Sequence, residues 1–178
     1  IGDDFRFGKG RLGDFSMLKA ASHENNYTIE KLNSVLLDGL RVSSSAVRNF
    51  LTDGNFTGAE KFLGRPFSIS GKVAHGDKLG RTIGFPTANI SIHRKLSPIL
   101  GVYSVLVKLK SQTYNGVCNV GKRPTLGGKK TLLEVFIFDF NEEIYGEYAT
   151  VIFKQKCRDE KKFESFDELK KQIKKDVE

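Results

Sequence analysis

The chain has 178 residues, enough for one full domain or one domain and part of another, with 39% hydrophobic and 28% charged residues. Apolar runs such as Val102–Val107 are too short to cross a bilayer, and no basic-then-apolar leader opens it. It is expected to be cytoplasmic, without a membrane partner, and, since it begins at Ile1, a piece of a longer protein. The formal net charge of +8 falls wholly in residues 64–178, with 21 Lys/Arg against 13 Asp/Glu, and points to an anionic partner: nucleic acid, acidic lipid or a phosphorylated small molecule.

Residues 1–63 have the texture of loops and helices. The glycine-rich opening, residues 1–10, reads as a loop. Asp14 is placed to cap a helix running through Ala21, and Ser34–Leu37 reads as a short strand. Ser43 or Ser44 caps a helix through Leu51 that Asp53-Gly54 ends, and a further helix, Phe56–Leu63, stops at Gly64. Gly64-Arg65-Pro66 marks the expected domain boundary, giving domains 1–63 and 64–178.

Beyond it the apolar period changes to two. Phe67–Val73, Val102–Leu109, Tyr114–Val120, Leu132–Phe140 and Thr150–Cys157 read as strands, joined by turns rich in Gly, Asn and Pro. Strands so spaced, with no helices between, suggest a closed antiparallel barrel. Residues 165–178 read as a closing helix whose Lys170, Lys171, Lys174 and Lys175 form a solvated face. Cys118 and Cys157 are expected as two reduced core thiols. They and the scattered His23, His75 and His93 offer no zinc-ligand spacing.

Three stretches carry chemistry. In His75–Asn89, Gly76, Gly80 and Gly84 recur every fourth residue, which permits close backbone approach to a ligand and an anion-binding nest. A plain hairpin loop would carry the same glycines, and no Gly-Lys-Ser/Thr follows to make a P-loop. Pro86 holds its neighbours extended, so Thr87 and Asn89 face the same way with two hard, neutral oxygens of the kind Mg²⁺ accepts. A surface Thr–Asn pair at a turn has the same pattern. Glu134 shares a strand face with Leu132, Phe136, Phe138 and Phe140. Desolvation there would raise its pKa toward the range of a general base, whereas an Arg or Lys partner would make it structural.

Taken together, Gly71-Lys-Val, His75-Gly, Leu79-Gly-Arg81, Gly84-Phe-Pro-Thr-Ala-Asn-Ile90, Gly101-Val-Tyr, Gly116-Val-Cys-Asn-Val-Gly-Lys-Arg-Pro-Thr125, Leu133-Glu-Val-Phe-Ile-Phe-Asp-Phe140, Ile144-Tyr-Gly and Arg158-Asp-Glu-Lys-Lys-Phe163 resemble the signature of riboflavin kinases from Leu63 to the end. The resemblance implies an α+β architecture: a six-stranded antiparallel Greek-key β-barrel with a C-terminal helix. It implies ATP, riboflavin and FMN as substrates and products, and Mg²⁺ as cofactor. Gly76, Gly80, Arg81, Gly84, Pro86, Thr87 and Asn89 would bind ATP, with Thr87 and Asn89 also holding the metal. Glu134 would take the proton of the ribityl 5′-hydroxyl. Asn119, Arg123 and Thr125, in a loop that also holds Pro124, would bind flavin, as would Arg158 on a flap.

Upstream, Val42-Ser-Ser-Ser-Ala-Val-Arg48 resembles a nucleotidyltransferase motif, with Ser43, Ser44, Ser45 and Arg48 as phosphate-binding groups, and Gly2–Gly8 matches a loop of the same domain in bacterial bifunctional riboflavin kinase/FAD synthetases. An N-capped helix with a surface Arg fits the same residues. The resemblance implies a fragment of an α/β, Rossmann-like FMN adenylyltransferase domain in residues 1–63. Its Gly-Thr-Phe-Asp-Gly-Val-His and His-x-Gly-His motifs have no match here, so this chain should not make FAD while the natural protein should. The competing expectation is a basic barrel binding nucleic acid, with Phe136, Phe138 and Phe140 as a stacking platform.

Overall fold

A computed structural model describes residues 1–2, 4–74, 86–92, 97–125, 128–161, 168, 171–172 and 175–176; for 91, 122–125 and 128–130 it describes the backbone. The Gly76–Gly84 loop lies outside the described residues, as does most of the expected closing helix. The chain forms two compact units, Ile1–Ser43 and Ser44–Glu178.

In the first unit a 3-10 turn, Lys9–Arg11, precedes α1, Phe15–Glu24. Asp14 caps α1 by accepting from Met17 N at 3.1 Å, an interaction worth about 1 kcal/mol. The helix continues three residues past Ala21, and Asn25 closes it by donating to Ala21 O. The short strand expected near Ser34 is β1, Leu36–Leu37. It pairs with β2, Leu40–Arg41, through an Asp38-Gly39 turn with both residues at positive φ. Leu12, Met17, Leu32, Val35, Leu36 and Leu40 are all more than half exposed, so this unit buries little apolar surface of its own.

The second unit starts with α2, Ser44–Thr52, and α3, Phe56–Leu63, which ends in a left-handed Gly64. A barrel follows: β3 Ser68–Ala74, β4 Thr87–Ser91, β5 Gly101–Leu109, β6 Gln112–Thr125, β7 Gly128–Ile137 and β8 Tyr148–Arg158. It closes in the order β3-β4-β7-β6-β5-β8, every pairing antiparallel. Alternation puts Ile90, Val105, Val107, Cys118, Val120, Leu133, Val135 and Val151 inside, each at most 3% exposed.

One end of the core is aromatic. Phe56 of α3 lies 5.7 Å from Tyr103 and 6.0 Å from Phe153, ring centre to ring centre, and Phe67 adds a third partner at 6.4 Å. Leu51 and Ala59 are buried in the same core. The two helices therefore pack as part of the barrel unit, although sequence texture draws its boundary after them, at Gly64.

Two sequence expectations need correction. Cys118 is buried, but Cys157 is exposed. On β8 the register shifts so that Lys156 pairs with Tyr103 and Arg158 with Val102, leaving Cys157 as the extra residue of a bulge. The Phe136–Phe140 alternation also fails. β7 ends at Ile137, and Asp139 turns the chain at φ 52°, so Phe140 leaves the strand and packs edge-on to Tyr114 at 5.0 Å. The three rings do not share one strand face.

Candidate active site

Glu134 sits at the centre of a polar row on the outer wall of the barrel. Directly paired residues of adjacent strands point to the same side. Asn89 of β4 pairs with Glu134 of β7, and Glu134 pairs with Asn119 of β6. The row continues from Asn119 to Val102 of β5 and from Val102 to Arg158 of β8. At the usual strand spacing the backbones of Asn89 and Asn119 stand about 10 Å apart, with Glu134 midway. The flanking Leu133 and Val135 point into the core, which fixes the face that Glu134 presents.

The Asn89 end opens on a cavity of about 210 Å³. Thr87, Asn89, Asn141, Glu142 and Glu143 contribute its polar side, and Val73, Pro86, Ile137, Phe140 and Tyr145 its apolar walls. Asn89 is 7% exposed and turns its amide nitrogen to Thr87 O at 3.5 Å, so the oxygen end of the amide points the other way. A neutral carboxamide oxygen beside a threonine, two residues apart on one strand, fits a hard cation that takes its remaining ligands from phosphate and water. Among the described residues no cluster of three His, Cys, Asp or Glu offers an all-protein metal cage.

At the other end, Asn119 Oδ1 is buried without a hydrogen-bond partner. Buried acceptors of this kind are rare in native folds. Asn119, Arg123 and Thr125, expected in a loop, are instead part of β6, with Arg123 paired with Lys130 and Thr125 with Gly128. Arg158 forms a two-pronged ion pair with Asp176, Nε to Oδ1 at 2.8 Å and Nη2 to Oδ2 at 2.6 Å. Gln172 donates to the same carboxylate at 3.0 Å, and the Asp176 side chain is 7% exposed. The pair is part-buried, since the Arg158 side chain keeps 23% of its surface exposed. Sequence reading missed Asp176; the available signal was an acid one turn after Gln172 in a lysine-rich helix. It also missed the cavity's apolar wall, which is assembled from β3, β7 and the turn after β7.

The upstream motif is split. Ser43 precedes α2 at its N-cap position, whereas Ser44, Ser45 and Arg48 lie in the helix and are exposed. The border between the two compact units falls inside this motif.

Comparison with known proteins finds a match for each part. The riboflavin kinase family (Flavokinase) matches residues 63–178, and the FAD synthetase family matches residues 1–46. The bifunctional riboflavin kinase/FMN adenylyltransferase of Haemophilus influenzae is 55% identical over 179 aligned residues, covering the whole chain and 58% of that protein. The protein of the same name from Escherichia coli K12 is 48% identical, over 99% of the chain and 56% of its own length. The chain thus spans a little over half the length of these curated relatives. A crystal structure from Streptococcus pneumoniae, described as a macrolide-efflux protein, superposes with a TM-score of 0.74 at 38% identity, over 99% of this chain and 57% of that one. No helix among the described residues here is long and apolar enough to cross a membrane. Since the kinase match takes in the entire barrel and the segment after it, the chain belongs to the riboflavin kinase family.

Proposed function

We propose that the barrel transfers the γ-phosphate of ATP to the 5′-hydroxyl of riboflavin, giving FMN and ADP. The observation that carries this reading is the cross-strand row Asn89–Glu134–Asn119. It sets a carboxylate midway between a cavity suited to a nucleotide and a buried acceptor suited to a polar co-substrate. The hydroxyl oxygen attacks the γ-phosphorus, the bond to the β,γ-bridging oxygen breaks, and Glu134 takes the hydroxyl proton.

Thr87 and Asn89 would hold Mg²⁺, which supplies neutralisation of the phosphate charge when bound. The apolar wall of Val73, Ile137, Phe140 and Tyr145 suits a nucleotide base, and the Gly76, Gly80, Arg81 and Gly84 stretch is proposed to cover the phosphates. Asn119, Arg123, Thr125 and Arg158 are proposed for the flavin side. Lining up two bound substrates needs little covalent help from the protein, because phosphoryl transfer is chiefly positioning and charge stabilisation.

For the whole protein we propose a second activity, adenylylation of FMN to FAD, in which Ile1–Ser43 belongs to the adenylyltransferase domain and Ser44–Glu178 to the kinase unit. The FAD synthetase match and the names of the relatives support it, as does the exposed apolar surface of Ile1–Ser43, which further chain of that domain would cover. We propose that the protein works in the cytoplasm, where ATP and riboflavin meet.

The test is incubation of the purified chain with riboflavin, ATP and Mg²⁺, followed by chromatographic separation of riboflavin, FMN and FAD. FMN without FAD is the expected result. A folded chain that makes no FMN overturns the kinase reading.

A further inference from the structure

We propose that Asp176 is a positioning residue for riboflavin: through Arg158 it fastens residues 158–160 across the Asn119 end of the polar row. This rests on the kinase reading above, in which that end takes the acceptor.

β8 and β6 are not neighbours; β5 lies between them. For the chain leaving β8 to reach β6 it must pass over the end of β5, and two glycines make room for it. At Gly101 (φ 120°) a Cβ would stand 2.6 Å from Arg158 O and 3.4 Å from Asp159 Cα. At Gly121 a Cβ would collide with Glu160 Oε1 and lie 3.3 Å from Asn119 Nδ2. The Glu160 carboxylate therefore occupies the space a side chain at Gly121 would fill, on the nitrogen side of the Asn119 amide. A negative charge there favours the amide with its N–H groups toward Glu160 and its oxygen turned away. That oxygen is the buried acceptor without a partner. A hydroxyl or imide N–H of the flavin substrate supplies the missing donor.

What holds the crossing in place is at its start. Lys156 of β8 pairs with Asp159 at 2.6 Å, and Arg158 Nη1 donates to Asp159 O at 3.0 Å, both local contacts. Among the described residues, the Asp176 pair is an anchor from a distant part of the chain, 18 residues on. Two parallel N–H···O bonds fix the guanidinium in plane and in rotation, which a single bond does not. Val102, on the outer face beside Arg158, is only 5% exposed, so the wall is roofed at this point.

The experiment compares the intact chain with Asp176→Ala, Asp176→Asn and Asp176→Glu. With riboflavin and ATP varied separately, Asp176→Ala is expected to raise the KM for riboflavin roughly tenfold or more while the KM for ATP and kcat stay within about threefold. Asp176→Glu is expected to recover most of the loss. Without substrates, hydrogen exchange at residues 158–161 is expected to quicken in Asp176→Ala. If Asp176→Ala does not fold, the isosteric Asp176→Asn decides the matter by the same split. An unchanged riboflavin KM in a folded variant, or equal rises in both KM values, overturns the proposal and leaves the kinase reading standing. Wild-type chain that makes no FMN overturns both.

Discussion

Asn89 and Glu134 are direct cross-strand partners of β4 and β7 on the outer wall of the barrel. A neutral oxygen donor and a carboxylate are thus held side by side by backbone hydrogen bonds, independent of any loop. Strand register is hard to slip here, because one residue of slip would carry Leu133 and Val135 out of the core. The geometry proposed for proton removal beside a phosphate is built into the sheet itself.

Glu134→Gln keeps the size and hydrogen-bonding reach of the side chain and removes its ability to accept a proton. Turnover is expected to fall roughly 10²–10⁴-fold with the KM for ATP little changed. Steady-state kinetics checks this, and near-normal turnover would remove Glu134 from the role of base.

Asn89→Ala removes one proposed oxygen ligand at the cavity end of the row while leaving the acceptor end intact. The KM for Mg·ATP is expected to rise roughly tenfold or more, with more Mg²⁺ needed for half-maximal rate and the KM for riboflavin less affected. Parallel loss of both affinities would mean instead that the variant disturbs the barrel, since Asn89 is nearly buried.

Much of this could be read from the chain because the relevant signals are local. The Phe56–Leu63 helix, with an apolar face and Gly64 behind it, has the bounds expected of it, and Asp14 caps α1. Period-two alternation found five of the barrel strands. β4 is five residues long and entered the reading as an extended stretch after Pro86. Features set by pairing across the sheet were not legible. Cys157 faces outward because of a bulge relative to β5, and Phe140 departs from its strand at Asp139. Arg158 could be singled out from the chain, but its partner lies 18 residues away on an element whose packing no local pattern fixes.

The aromatic end of the barrel makes the two helices before Gly64 part of its stability. Phe56 is 7% exposed and touches the rings of Tyr103, Phe153 and Phe67. Phe56→Ala is expected to cost about 3–5 kcal/mol. By the same reasoning a chain starting at Ser44 should melt cooperatively close to the full chain's barrel transition. A chain starting at Gly64 should melt well below it, having lost Leu51, Phe56 and Ala59 from the core. Calorimetry of the two truncations checks this, and equal melting temperatures would show the helices to be dispensable.

Stability at high pH should be governed by two buried acids of the core. Burial pushes the Cys118 thiol far above its ordinary value of 9.0. Burial likewise raises the Tyr103 hydroxyl from 10.0 to about 12, while its O–H donates to Leu100 O at 2.8 Å. Both groups keep their proton longer in the folded chain than in the unfolded one. The unfolded state therefore binds fewer protons once the pH passes the ordinary values, and unfolding free energy falls as pH rises. Stability from this source is complete below pH 9.0, declines from there through Cys118, and declines further between pH 10.0 and about 12 through Tyr103. Each group contributes a slope of about 1.4 kcal/mol per pH unit within its window. Denaturant melts from pH 8 to 11, compared with Cys118→Ala and Tyr103→Phe, measure it. Cys118→Ala should lower stability overall and flatten the decline that begins at pH 9, and Tyr103→Phe should flatten the part above pH 10. An unchanged slope in Cys118→Ala would mean that the thiol ionises without unfolding the core.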